Sequence, residues 1–132
     1  MQRSLSVLLP VKNVQATLSK SVHDMLEMLA DSIDRFELLI IDDGSTDATS
    51  EVAHELTQDY PQVRVVRHGT SLGHEAALRT GLNRSLGEVV VTRDESVGFR
   101  VLERRKSPHR ATSSRPARPN YLSRIKGFVL SD

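Results

Sequence analysis

The segment Leu38-Leu39-Ile40-Ile41-Asp42-Asp43-Gly44-Ser45-Thr46-Asp47 constrains the fold more than any other part of this chain. Its apolar run leaves no polar face, so the strand it forms is buried on both sides. Sheets buried on both sides are mostly parallel and carry helices on each face. The run then breaks into two carboxylates, a glycine and hydroxyl residues, a composition that suits a turn entering a helix. Acidic groups just past the carboxyl end of such a strand stand where an open α/β sheet takes its ligand.

The flanking pattern extends this reading. Leu5 to Val11 is a short apolar run interrupted by Pro10, as a buried strand leaving its sheet would read. Val14, Leu18, Val22, Met25 and Leu29 recur at three- and four-residue spacing and predict one apolar helix face. A second strand is predicted over residues 36–41, with Ser45 or Thr46 capping the next helix and Asp47 in its first turn. Val52, Ala53 and Leu56 form that helix's inward stripe, and Tyr60-Pro61 stops it before a third strand at residues 63–67. A third helix is expected to turn Ala77, Leu78, Leu82 and Leu86 inward. Gly81 weakens it by about 1 kcal/mol relative to Ala, which close packing on a strand would explain. Gly87 is expected to end it, ahead of a fourth strand at residues 88–93. The alternation predicts an α/β fold: a Rossmann-like open, mostly parallel sheet with helices on both faces and right-handed crossovers.

Composition narrows the class. The 132 residues make one domain able to bury roughly two thirds of its unfolded surface. Without cysteine, neither a disulfide framework nor a thiolate metal site can form. No apolar run approaches the ~18 residues of a spanning helix, and Met1-Gln2-Arg3-Ser4 begins no signal peptide. The expected location is cytoplasmic, with contact at a membrane periphery left open, and the sequon Asn83-Arg84-Ser85 reads as accidental. Charge is divided unevenly: residues 1–96 hold 9 Lys/Arg against 15 Asp/Glu, whereas residues 97–132 hold 9 against 2. This shift sets a boundary near Ser96, with a domain over 1–96 and a basic, largely disordered or loosely packed tail over 97–132. Within that tail only residues 121–130 read as another short ordered element. Its aromatics, Phe99, Tyr121 and Phe128, accompany no nucleic-acid-binding motif, so no nucleic acid partner is expected.

Three stretches carry candidate chemistry. The adjacent carboxylates Asp42 and Asp43 repel unless solvent, a donor or a cation offsets them. They read either as a ligand-binding pair or as a solvated turn that caps a helix. Asp94-Glu95-Ser96, ending the fourth strand, offers an oxygen ligand to a hard divalent cation such as Mg²⁺ or Mn²⁺. The small residues from Gly69 to Ala77 would let backbone amides approach phosphate oxygens, with Arg79 or His74 adding positive charge. They do not make a Walker loop, because Gly-Lys-Ser/Thr is missing. His23, His54, His68 and His109 show no metal-ligand spacing and receive no role.

Taken together, Leu5-Ser6-Val7-Leu8-Leu9-Pro10-Val11-Lys12-Asn13, Phe36-Glu37 with the run through Asp47, residues 73–87 and Val89-Val90-Val91-Thr92-Arg93-Asp94 resemble family 2 glycosyltransferases. The likeness is to the N-terminal, nucleotide-binding half of that GT-A fold. It implies a strand order of third, second, first, fourth, with a crevice where the first and fourth strands part. It also implies a nucleotide-diphosphate sugar as ligand. Pro10, Val11 and Lys12 would lie along the nucleoside, Asp43 would reach the base with Asp42 nearby, and Arg79 would stand near the diphosphate. Asp94 would begin the Asp-x-Asp motif near ribose, diphosphate and metal.

The chain departs from that motif at Ser96, where a neutral hydroxyl replaces the second Asp and weakens metal affinity. Glu95 should point to the other side of an extended segment. In the family a catalytic Asp or Glu follows the motif, whereas residues 97–132 contain only Glu103 and Asp132. The implied activity is inverting, metal-dependent transfer to an acceptor hydroxyl, with the isolated chain expected to be weakly active or inactive. The alternative is a non-catalytic nucleotide-binding module. A phosphoacceptor receiver domain fits less well, because there the acid pair follows the first strand.

Overall fold

A computed structural model describes residues 4–94 and 98–105, except for the Asp94 side chain. In chain order the elements are β1 (Leu5–Val11), α1 (Leu18–Ser32), β2 (Phe36–Asp43), α2 (Thr49–Asp59), β3 (Val63–His68), α3 (His74–Arg84), β4 (Val89–Asp94) and β5 (Gly98–Arg104). They build one five-stranded sheet ordered β3-β2-β1-β4-β5. β1 pairs in parallel with β2 and β4, and β2 with β3; β5 runs antiparallel to β4. The expected α/β class and the order of the first four strands are both present.

Strand alternation sorts the core into two layers. Leu5, Val7, Leu38, Ile40, Val63, Val89, Val91 and Phe99 face α1 and α2, and pack with Leu18, Val22, Met25, Leu29, Ala53 and Leu56. On the other face Leu8, Leu39, Ile41 and Val90 pack with Ala77 of α3. Gly81 lets α3 lie close: a Cβ there would sit 2.8 Å from Leu8 Cδ1 and 3.0 Å from Ile41 Cδ1.

Several expectations need correction. The compositional boundary near Ser96 does not end the fold, since β5 extends the sheet inside the segment assigned to a tail. Its Phe99 is buried in the larger core cluster, and Val101 packs against the same cluster. An edge strand needs only alternate apolar positions, so its arginines do not prevent it from pairing. Arg105, just after it, donates from Nη2 to Leu82 O at 2.6 Å and from Nη1 to Ser85 O at 2.9 Å. It thereby satisfies carbonyls at the end of α3 that lack helical partners. The possible element at residues 121–130 lies outside the described residues.

Leu86 does not turn inward; it lies beyond the end of α3 and is 77% exposed. Gly87 does not terminate α3, which stops at Arg84. It sits instead against β1, where a Cβ would come within 2.6 Å of Ser6 Oγ. α2 begins at Thr49, later than expected, so neither Ser45 nor Thr46 caps it. Asp47 Oδ1 accepts the Thr49 amide at 2.9 Å and its hydroxyl at 2.5 Å. The same contacts hold the Asp47 carboxyl below the usual carboxylate range.

Candidate functional site

β2 runs two residues farther than expected, and this changes the geometry of its acid pair. Both carboxylates belong to the strand, with Asp42 in register with Val11 and Arg67, and Asp43 with His68. Successive strand side chains point to opposite faces. Asp42 therefore turns toward the α1/α2 layer and Asp43 toward the α3 layer, and the two do not converge.

Asp43 is nearly buried, yet it is fully solvated by protein donors. His68 Nδ1 lies 2.8 Å from Oδ1, which also accepts the Leu72 amide at 2.8 Å. Oδ2 accepts the Ser71 hydroxyl at 2.9 Å and the Gly73 amide at 3.0 Å. An ionised carboxylate offers about four acceptor positions, and all are taken. The Leu72 amide, then His68, Ser71 and Gly73, stabilise the anion against the opposing cost of burial and hold this carboxyl far below its usual range. Residues 69–75 are otherwise exposed, so Asp43 straps the loop before α3 onto the end of β2. Gly44 permits the close approach: its φ is +69°, and a Cβ would lie 2.4 Å from Ser71 N.

Asp42 is treated differently. It is fully buried; Oδ1 accepts the Ser45 amide at 3.1 Å, while Oδ2 has no hydrogen-bond partner among the described residues. The half-exposed Arg67 brings Nε to 3.9 Å of that oxygen, an ion pair too long for a hydrogen bond.

The β1 side of the site is held by a loop-to-loop zipper. Asn13 takes a left-handed φ of +52°, a conformation that Asn tolerates better than most residues. Its Oδ1 accepts the Thr46 amide at 2.8 Å, and its own amide donates to Ser45 Oγ at 2.8 Å. The Val14 amide donates to Thr49 Oγ1 at 2.8 Å, and the Ala48 amide to Gln15 Oε1 at 2.8 Å. This zipper fixes the exit of Pro10, Val11 and the exposed Lys12 beside the β2 turn.

The β1–β4 ladder ends at Leu8 and Thr92, whereas β1 stays paired with β2 through Val11 and Asp42. β1 and β4 thus part at their carboxyl ends, where the sheet's strand order reverses. Open α/β sheets bind ligands at such a point. Arg100 is opposite Thr92 across the β4–β5 ladder, and its Nε is buried without a hydrogen-bond partner among the described residues.

The other site expectations fare unevenly. Asp94 closes β4 opposite Gly98, but its side chain, with Glu95 and Ser96, lies outside the described residues. Arg79 is exposed on α3, away from the face that packs through Ala77 and Gly81, and makes no hydrogen bond or ion pair among the described residues. Among those residues no group of three or more His, Asp or Glu side chains could hold a metal ion. His68, which received no role from its spacing, is a direct partner of Asp43. The available signal was its place at the end of an apolar strand; its alignment with Asp43 appears only in the folded sheet.

An open sheet of this order, whose first and fourth strands part at their carboxyl ends, is an α/β architecture of GT-A type. Residues 6–95 match the family described as Glycosyl transferase family 2, and the chain belongs to it. It is 36% identical over 86 residues to the beta-monoglucosyldiacylglycerol synthase of Synechocystis, covering 64% of this chain and 18% of that protein. It is 32% identical over 99 residues to the human dolichyl-phosphate beta-glucosyltransferase, covering 70% and 31%.

Among solved structures it resembles glucosyl-3-phosphoglycerate synthase from Mycobacterium tuberculosis in complex with Mn²⁺, UDP and phosphoglyceric acid. That match has a TM-score of 0.52 at 35% identity and covers 68% of this chain and 32% of the other. The mannosyltransferase PcManGT from Pyrobaculum calidifontis, in complex with GDP-Man and Mn²⁺, shares the fold with a TM-score of 0.62 at 24% identity, covering 69% and 27%. The chain therefore spans about a third or less of the length of each of these four proteins. No helix among the described residues is long and apolar enough to cross a membrane.

Proposed function

We propose that this domain binds the nucleotide-diphosphate part of a sugar donor in the crevice between β1 and β4. The observation that carries the reading is the early end of the β1–β4 ladder at Leu8 and Thr92, in a family 2 chain whose neighbouring β2 ends at Asp43. Pro10, Val11 and Lys12 then run along the nucleoside, and Asp43 faces the base from the α3 side. Asp42, buried on the other face, acts by holding the Ser45 turn. Arg100 is better placed than the outward-facing Arg79 to meet diphosphate charge, because it sits in register with the residue where the crevice opens.

A divalent ion would be held by Asp94 and diphosphate oxygens, the arrangement a hard cation accepts when a protein offers one carboxylate. When bound, Mg²⁺ or Mn²⁺ supplies charge neutralisation for a departing diphosphate. Both similar structures contain Mn²⁺, which supports a divalent ion as part of the donor complex. Calorimetry with UDP- and GDP-sugars plus Mn²⁺ tests it. Saturable heat that weakens in Asp94→Asn is expected, and no heat with any donor in folded protein would refute it.

One observation favours a second reading, a nucleotide-binding module that does not itself transfer sugar. Glu103, the described carboxylate of residues 98–105, is in register with Val90 and ion-paired to Arg105 at 2.8 Å. That places it toward the opposite end of the sheet from the crevice, out of reach of an acceptor hydroxyl there. Donor binding without sugar release or transfer in a product assay would favour this reading; turnover would exclude it.

A further inference from the structure

Asp43 presents a conflict that the proposed function leaves open. A carboxylate whose four acceptor positions are filled cannot also receive an N–H from a nucleobase. One of its donors must leave, and they are not equivalent. The Leu72 and Gly73 amides belong to the backbone that leads into α3, so they leave only if the loop moves. His68 is wedged beneath the loop, 8% exposed, with Nε2 at 2.8 Å from Thr80 Oγ1 of α3. The fourth donor is the hydroxyl of Ser71, an exposed residue that can rotate about χ1 and hydrogen-bond to water instead.

We propose that Ser71 Oγ is a stand-in for the ligand, occupying the Oδ2 position that a ring N–H of the donor's base takes over, while His68 is the positioning residue that keeps Asp43 oriented through the exchange. This rests on the donor-binding reading, in which Asp43 meets the base, and adds to it which of the four donors yields to the ligand and which one holds the carboxylate in place. The anionic Asp43 can only accept, so a base whose ring nitrogen carries no hydrogen gains nothing at that position. Thr80 lends the arrangement stiffness by tying the far side of the imidazole to α3.

Opposite effects from two donors of one carboxylate distinguish this from a merely structural cluster. UDP and GDP, each with Mn²⁺, are titrated into wild type, Ser71→Ala, His68→Ala and His68→Asn by calorimetry, alongside their ring-N-methyl analogues. Ser71→Ala should tighten the parent nucleotide by about 2- to 10-fold, the factor of one net hydrogen bond no longer contested, and leave the methylated analogue unchanged. His68→Ala should weaken the parent by roughly tenfold, and His68→Asn, which keeps a donor near Nδ1, should recover most of that. Without any ligand, His68→Ala should speed amide exchange at Leu72 and Gly73, while Ser71→Ala leaves it within about twofold.

Weaker parent binding in Ser71→Ala, equal gains for the methylated analogue, or unchanged exchange in His68→Ala would each overturn the proposal. Folded wild type that binds neither nucleotide would instead refute the donor-binding reading, and the exchange experiment would still report on His68.

Discussion

The two ends of β2 hold the same helix in different ways. At the amino end, Glu37 accepts the Leu86 amide at 2.6 Å and Ser6 Oγ at 2.6 Å, and pairs with Arg64. At the carboxyl end, Asp43 accepts the loop that enters α3. One strand thus clamps the segments before and after α3 with two carboxylates on the same face. The amino-end clamp includes a full opposite charge and joins β1, β2, β3 and the loop after α3. The carboxyl-end clamp relies on hydroxyl and amide donors of an exposed loop together with the buried His68 imidazole of β3. The first fits a fixed joint, and the second is the one that the proposed exchange at Ser71 would loosen.

The largest expected effect comes from removing the exchangeable clamp. Asp43→Ala orphans four donors and should lower unfolding stability by about 3 kcal/mol in urea denaturation, and it should abolish nucleotide binding. Glu37→Ala should lower stability by roughly 2 kcal/mol, with Arg64 partly compensated by solvent, yet leave nucleotide affinity unchanged. Loss of binding in Glu37→Ala would break the contrast between the two ends.

Acid titration sharpens it. The Asp43 carboxyl is lowered in the folded state, so its contribution is complete above the unfolded value near ~3.9 and is lost as pH falls through the lower folded value. Between those values the unfolded chain binds more protons, and acid drives unfolding. Asp43→Asn should therefore flatten the decline of stability below about pH 4 relative to wild type, followed by circular dichroism. An unchanged slope would assign the acid sensitivity elsewhere. The smallest effect belongs to Leu86, which is 77% exposed: Leu86→Ser should change stability by less than about 0.5 kcal/mol, because only its backbone amide serves the Glu37 clamp.

Much of the fold was legible because it rests on apolar runs and periodicity. Residues 5–11, 38–41 and 89–91 name their strands, and Leu18, Val22, Met25 and Leu29 name the buried face of α1. The site was harder to read, since it turns on single-residue limits. Ending β2 at Ile41 makes Asp42 and Asp43 a turn with a shared outlook; ending it at Asp43 sends them to opposite faces. The role of His68 required knowing that β3 continues to meet Asp43, a long-range pairing that local spacing does not encode. β5 was hidden by its arginines, although Phe99 and Val101 carry the alternation of a strand with one buried face. Leu86 shows the converse, where helical spacing was extended past the point at which the backbone leaves the helix.

Donor binding at the crevice is most directly tested by mapping amide chemical shifts as UDP or GDP with Mn²⁺ is added to isotope-labelled protein. Saturating shifts at Val11, Lys12, Asp43, Leu72 and Gly73, with residues around Glu37 and Arg64 unmoved, are the expected result. Shifts confined to the Glu37 end of the sheet, or none at saturating nucleotide, would contradict it.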